Sequence, residues 1–118
     1  MYEIFRTTSF KKDYKKLSNK EKVLLKPVVT TLAKGENLDD ELKDHKLIGN
    51  YLGCRECHVQ PDLLLIYRID NDILKLAVVR VGSHSKLFYQ KNVQDNTTWK
   101  TNLYPQLATL NEQKDVLS

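Results

Sequence analysis

The 118-residue sequence holds three histidines, the residue type suited to proton transfer near neutral pH, and all three stand in polar company. His45 lies in Lys43-Asp44-His45-Lys46, His58 in Glu56-Cys57-His58-Val59 and His84 in Gly82-Ser83-His84-Ser85. Imidazoles so placed can take a proton from one reacting oxygen and give one to another. Two charged residues join them. Asp62 follows Pro61 at the entrance of an apolar run, and Arg80 follows Leu74, Leu76 and Val78 in alternation, as if on their face of a strand. A guanidinium in such a row calls for a pairing carboxylate or an anionic ligand. Together the set suits cleavage of RNA, which needs a base for the 2′-hydroxyl, cationic charge for the phosphate and an acid for the departing 5′-oxygen. That chemistry requires no metal or cofactor, and none is expected.

Cys54-Arg55-Glu56-Cys57-His58 formally matches the C-x-x-C-H pattern of c-type haem attachment. The segment alternates like a strand, however, and strand side chains three positions apart point to opposite faces with their Cα atoms roughly 10 Å apart. Neither a disulfide between the two sulfurs nor a zinc ion shared by them fits that arrangement. Two reduced cysteines packed in a sheet are expected.

The elements that must position these groups can be read in chain order. Tyr2, Ile4 and Arg6 alternate with Glu3 and Phe5 as a short strand, after which Thr7, Thr8 and Ser9 offer helix caps. Phe10, Tyr14 and Leu17 recur at helical spacing, with Lys11, Lys12, Lys15 and Lys16 around the rest of the circle. Ser18 and Glu21 form a capping-box pattern that starts a second helix carrying Val23, Leu24, Val28, Thr31 and Leu32 as far as Gly35. Pro27 inside it predicts a kink or a late start. Residues 36–47 are acidic and aperiodic and read as a loop with a helical turn near 40–43. Beyond them the period becomes two. Segments 54–59, 63–69 and 73–81, separated by Gln60-Pro61 and Asp70-Asn71-Asp72, predict an antiparallel three-strand meander whose middle strand is apolar on both faces. The histidines then fall before the meander, at the end of its first strand and after its last, where one sheet edge can gather them. The fold class is α+β: an N-terminal strand, a two-helix hairpin and an antiparallel sheet, with the helices over one sheet face.

Charge is distributed unevenly. The formal net charge is +4, yet residues 6–26 hold eight Lys or Arg against Asp13 and Glu21, whereas five carboxylates crowd residues 36–44. The lysine face of the first helix is therefore a candidate polyanion surface, with Lys11, Lys12, Lys15 and Lys16 expected to contact RNA. No apolar run approaches the ~20 residues of a membrane span, and Met1 leads directly to Glu3 and Arg6 with no apolar leader, so a cytoplasmic protein is expected. Residues 89–118 are polar, with Trp99, Leu103, Leu107 and Leu110 at a helical spacing broken by Pro105, a composition that favours a mobile extension over a docked helix.

Several linked motifs carry a resemblance that covers residues 1 to about 88. They are Lys43-Asp44-His45-Lys46-Leu47, Gly49-Asn50, the run from Arg55 through His58 and Asp62 to Tyr67, and Arg80-Val81-Gly82-Ser83-His84-Ser85-Lys86-Leu87-Phe88. In order and spacing this chain resembles the YafQ toxins of the RelE/ParE superfamily. The resemblance implies a RelE-like toxin domain over 1–88 and an extension over 89–118. It also implies an endoribonuclease of a type II toxin–antitoxin module that cleaves mRNA on the ribosome and is silenced by a DinJ-like antitoxin. Carried over residue by residue, the family's catalytic positions fall on His45, His58, Asp62 and His84, with Arg80 and Phe88 also in the site. The resemblance makes His84 the general acid, lets His58 and Asp62 activate or orient the 2′-hydroxyl, and puts Arg80 on the scissile phosphate; Phe88 could stack on a base. Leu63 stands where some members carry Trp, and about thirty residues follow the motif Phe88. Two other functions remain open at this point: a catalytically weak protein that acts by binding antitoxin or ribosome, and a ParE-like gyrase poison.

Overall fold

The computed structural model describes residues 1–88 together with Lys100 and Leu103. Strand β1 (Glu3–Arg6) gives way to helix α1 (Thr8–Lys15) at Thr7. The Thr7 Oγ1 accepts from the Phe10 amide at 3.0 Å and donates to the Val79 carbonyl at 2.7 Å, so this buried hydroxyl is satisfied on both sides. Helix α2 (Asn19–Ala33) starts behind a complete Ser18–Glu21 capping box and continues through Pro27. No late start occurs. Proline removes one amide and frees the carbonyl four residues back, that of Val23, on a turn where the side chain is 70% exposed and water can replace the lost partner. Val23 faces solvent, and the buried stripe is Leu25, Val28 and Leu32.

A 3₁₀ turn at Asp40–Leu42 falls where one was expected and ends on Lys43 in left-handed conformation, φ 52°. It delivers a two-residue strand, β2 (His45–Lys46), too short to show a period in the sequence. A second 3₁₀ turn, Gly49–Tyr51, precedes β3 (Arg55–Gln60), β4 (Leu63–Asp70), β5 (Lys75–Gly82) and the short helix α3 (His84–Phe88). The five strands form one sheet in the order β1-β5-β4-β3-β2. The meander is antiparallel as expected, but β1 joins β5 in parallel, so the sheet is mixed. β4 is central, and Leu63 to Tyr67 are all within 1% of full burial.

Both faces of the sheet are covered. Phe10, Leu25, Val28 and Leu32 from the helices pack on Cys57, Leu65, Tyr67, Leu76 and Val78. On the opposite face Tyr51, Leu87 and Leu103 cover Cys54, Leu64, Ile66, Ala77 and Val79. The two cysteines are free, buried and on opposite faces, as the alternation required. Lys100 and Leu103 are helical, and Leu103 is 5% exposed, so at this residue the extension is docked rather than mobile. The remainder of that expectation, including Trp99, Leu107 and Leu110, lies outside the described residues. Among the described residues no helix is long and apolar enough to cross a membrane.

Candidate active site

Register explains how the sheet gathers its polar side chains. His45 of β2 pairs with Glu56 of β3, Glu56 with Ile66 of β4, and Ile66 with Arg80 of β5. Directly paired residues share a face, so these four form one transverse row on the face away from α1 and α2. The adjacent row is His58, Leu64 and Gly82. Arg80 joins its row through a β-bulge: Tyr67 pairs with Val78 and Ile66 with Arg80, leaving Val79 as the extra residue. Simple alternation had placed Arg80 behind Leu76 and Val78. The bulge instead gives Val81 the helix-facing position and turns Arg80 to the other side, a re-aiming that bulges commonly perform near functional sites.

One half of the site is a histidine–carboxylate group. Glu56 Oε1 lies 3.5 Å from His45 Nε2 and 3.6 Å from His58 Nε2, and the two rings are 6.3 Å apart. Glu56 is 5% exposed, and its Oε2 is buried without a hydrogen-bond partner. His45 Nδ1 lies 2.7 Å from the Lys43 carbonyl, which can only accept, so Nδ1 carries a proton. The left-handed turn at Lys43 aims that carbonyl. Arg55 Nε and the Tyr67 hydroxyl both donate to Asp44 Oδ1, at 3.1 and 2.7 Å, which ties the segment bearing His45 to β3 and β4. Burial and the bond to Asp44 raise the Tyr67 pKa, so its hydroxyl stays a donor.

The other half is carried by β5 and α3. Asp62, in the turn between β3 and β4, accepts the backbone amide of His84 at 3.1 Å. It thereby fixes the first residue of α3 against the end of the sheet that bears His58. The His84 ring lies 4.9 Å from that of Phe88, which meets Tyr51 edge-on at 6.2 Å. The Tyr51 hydroxyl is 3.5 Å from Arg80 Nη1. Arg80 is held by Asp13 of α1 through Nε at 2.6 Å and Nη2 at 3.1 Å, so the pairing carboxylate that its setting called for is Asp13. Burial works against the Arg80 charge, but the Asp13 bonds and charge, with Tyr51, outweigh it and leave its pKa raised. Burial likewise raises the Tyr51 pKa against the opposing pull of Arg80.

The structure thus brings His45 and His58 together on one carboxylate and sets Arg80 in the same row. It places His84 and Phe88 side by side on α3, with Asp62 beneath the His84 backbone. Lys11, Lys12, Lys15 and Lys16 are exposed, and of these Lys16 lines a groove of about 50 Å³ with Asp13, Arg80 and Lys86. Glu56, Tyr51 and Asp13 were missed in the sequence. Glu56 could have been found, since it stands two residues before His58 and must share its face of the strand. Tyr51 lies in an irregular loop and Asp13 in a lysine-rich helix, where no periodicity marks either.

Comparison with known proteins identifies the family. Residues 2–89 match the family model of the bacterial toxin of type II toxin–antitoxin systems, YafQ. The mRNA interferase toxin YafQ of Escherichia coli BL21(DE3) is 35% identical over 82 residues, covering 67% of this chain and 87% of that protein. Its counterpart from strain K12 is 44% identical over a shorter stretch of 46 residues, 39% of this chain and 48% of that protein. Among solved structures, a metal-bound toxin from Helicobacter pylori is 42% identical with a TM-score of 0.66, covering 75% of this chain and 100% of that one. The E. coli DinJ–YafQ complex gives 31% identity and a TM-score of 0.64, covering 75% of this chain and 99% of that one. Among the described residues, no group of three or more His, Cys, Asp and Glu side chains is arranged to hold a metal ion. With the family model spanning nearly all of the described fold and relatives this similar, the chain belongs to the YafQ family of mRNA-interferase toxins of type II toxin–antitoxin systems.

Proposed function

We propose that this chain cleaves mRNA by attack of a ribose 2′-hydroxyl on the adjacent phosphorus, using His58 with Glu56 as base, Arg80 as phosphate ligand and His84 as acid. The observation that carries the reading is the transverse row. Two interstrand steps separate Glu56 from Arg80, about 10 Å between Cα atoms, a span that suits a ribose and its 3′-phosphate held between a proton acceptor and a cation. His58 takes the 2′-hydroxyl proton while Glu56 stabilises the imidazolium that forms. The new P–O2′ bond forms as the P–O5′ bond breaks, and His84 delivers a proton to the departing 5′-oxygen. The products are a 2′,3′-cyclic phosphate and a 5′-hydroxyl. Arg80 meets the charge that builds on the non-bridging oxygens. His45 approaches the same Glu56 oxygen as His58, and Asp62 acts through the backbone by placing His84. Phe88, beside His84, offers a face on which a base can stack.

Lys11, Lys12, Lys15 and Lys16 supply affinity for the ribosome or the RNA backbone without reading sequence. The antitoxin is a DinJ-like protein, a reading supported by the complex of the E. coli relative. The test is cleavage of a defined RNA by the purified chain, free and on ribosomes, with the ends analysed. Cyclic phosphate and 5′-hydroxyl ends, together with resistance of an RNA carrying a single 2′-deoxy at the cut, are expected. Cleavage of the deoxy substrate or 5′-phosphate ends would refute the reading.

A further inference from the structure

We propose that Asp13 is a positioning residue that holds Arg80 by one edge of its guanidinium so that the other edge is presented to the scissile phosphate. The inference rests on the function proposed above. Nε and Nη2 form the lateral edge of a guanidinium, and Asp13 occupies both, at 2.6 and 3.1 Å. The terminal edge, Nη1 with the second hydrogen of Nη2, is the other fork that matches a phosphate. Tyr51 at 3.5 Å from Nη1 bounds that end.

The fold explains why the carboxylate comes from α1. β1 pairs with β5 only as far as Arg6 and Val78, so beyond that point the edge of β5 has lost its strand neighbour. The Thr7 amide and hydroxyl continue the edge by bonding the Val78 and Val79 carbonyls at 3.2 and 2.7 Å. Asp13 Oδ2 then takes the Val81 amide at 3.1 Å. One carboxylate therefore closes the open edge of the sheet and grips the side chain that the Val79 bulge has turned toward the site. The pair is dry, with 12% and 14% of the Arg80 and Asp13 side chains exposed, so water screens it little. A guanidinium on four rotatable bonds, released from this grip, loses the alignment that a transition-state contact needs.

The test compares single-turnover cleavage by the full chain, Asp13→Asn, Arg80→Lys and the double variant. Asparagine keeps an oxygen for the Val81 amide but removes the charge and one acceptor. Asp13→Asn is expected to lower kcat about 10- to 100-fold, with KM moving much less, the scale of loss that slight misplacement produces. In the Arg80→Lys background the same change is expected to cost less than about threefold, because residues acting as one unit are not additive. Asp13→Glu, which keeps the charge but shifts the guanidinium, serves if the asparagine variant fails to fold, and is expected to lower kcat with an unchanged melting temperature. A second readout is independent of activity: the Arg80 Nε–H nitrogen resonance should exchange slowly in the native chain and rapidly in Asp13→Asn. Equal losses in both backgrounds, unchanged cleavage, or faster cleavage by Asp13→Asn would overturn the proposal. A native chain that cleaves no RNA would instead refute the function on which it rests.

Discussion

Glu56 shows at the residue scale how the site departs from what stability alone would select. A carboxylate this buried with one oxygen unpartnered is costly in the folded state. Glu56→Gln removes that charge at nearly constant volume. The variant is expected to melt at or above the native temperature while cleaving RNA about 10²-fold or more slowly, the share typical of acid–base groups. Melting curves beside cleavage rates check this; full activity at a lowered melting temperature would contradict it. The residue types also mark the limit of what could be read in advance. The three histidines, Asp62, Arg80 and Phe88 were visible because their chemistry is rare or their motif familiar. Glu56, Tyr51 and Asp13 were not, since an ordinary carboxylate or phenol becomes meaningful only through what the fold places beside it. Asp62, expected on the 2′-hydroxyl, accepts the His84 amide in the structure.

At the scale of elements, alternation and capping gave α1, α2 and the meander within a residue or two. Besides the short helix α3, three features escaped for physical reasons. A two-residue strand has no period, a parallel partner for β1 is a tertiary choice, and the Val79 bulge breaks the parity on which face assignments rest. The lysine face of α1 is the element with a direct prediction. Changing Lys11, Lys12, Lys15 and Lys16 to Gln should weaken binding to ribosomes or RNA and flatten its salt dependence, because fewer counterions are released. Binding measured with purified protein at several salt concentrations decides this, and an unchanged slope would mean that the face is merely solvated. The sheet makes a second prediction through its cysteines. Burial raises both thiols from 9.0 to about 12, so neither should react with a thiol reagent at neutral pH unless the chain unfolds. A folded pKa above the unfolded one gives stability that is complete below pH 9.0 and lost as pH rises toward about 12, so the melting temperature should fall through that window. Cys57→Ser should reduce part of that fall.

At the scale of the whole molecule, the sheet divides labour between its faces. The helix-bearing face supplies the main core, and the other supports the row of His45, Glu56, Ile66 and Arg80 over a second, smaller core. Leu103 belongs to that second core, beside Leu87 of α3 and Tyr51. Leu103→Ala should therefore cost about 2–5 kcal/mol, as truncation of a buried leucine does, with a lower melting temperature as the readout. An unchanged melting temperature would return this residue to a dispensable extension. The family, the fold and the order of the motifs were legible because they depend on many residues at once. The docking of Leu103 was not, because a leucine in a polar stretch broken by Pro105 gives no sign of the surface that receives it.

In the proposed reaction His84 protonates the departing 5′-oxygen. The most direct measurement compares native chain and His84→Ala on two RNAs that differ in one atom, oxygen or sulfur, at the 5′ leaving position. A thiolate leaves without a proton, so the variant should be about 10²- to 10⁴-fold slower on the oxygen substrate and nearly native on the sulfur one, with circular dichroism unchanged. Equal losses on both substrates, or a folded His84→Ala chain that cleaves at the native rate, would contradict the account.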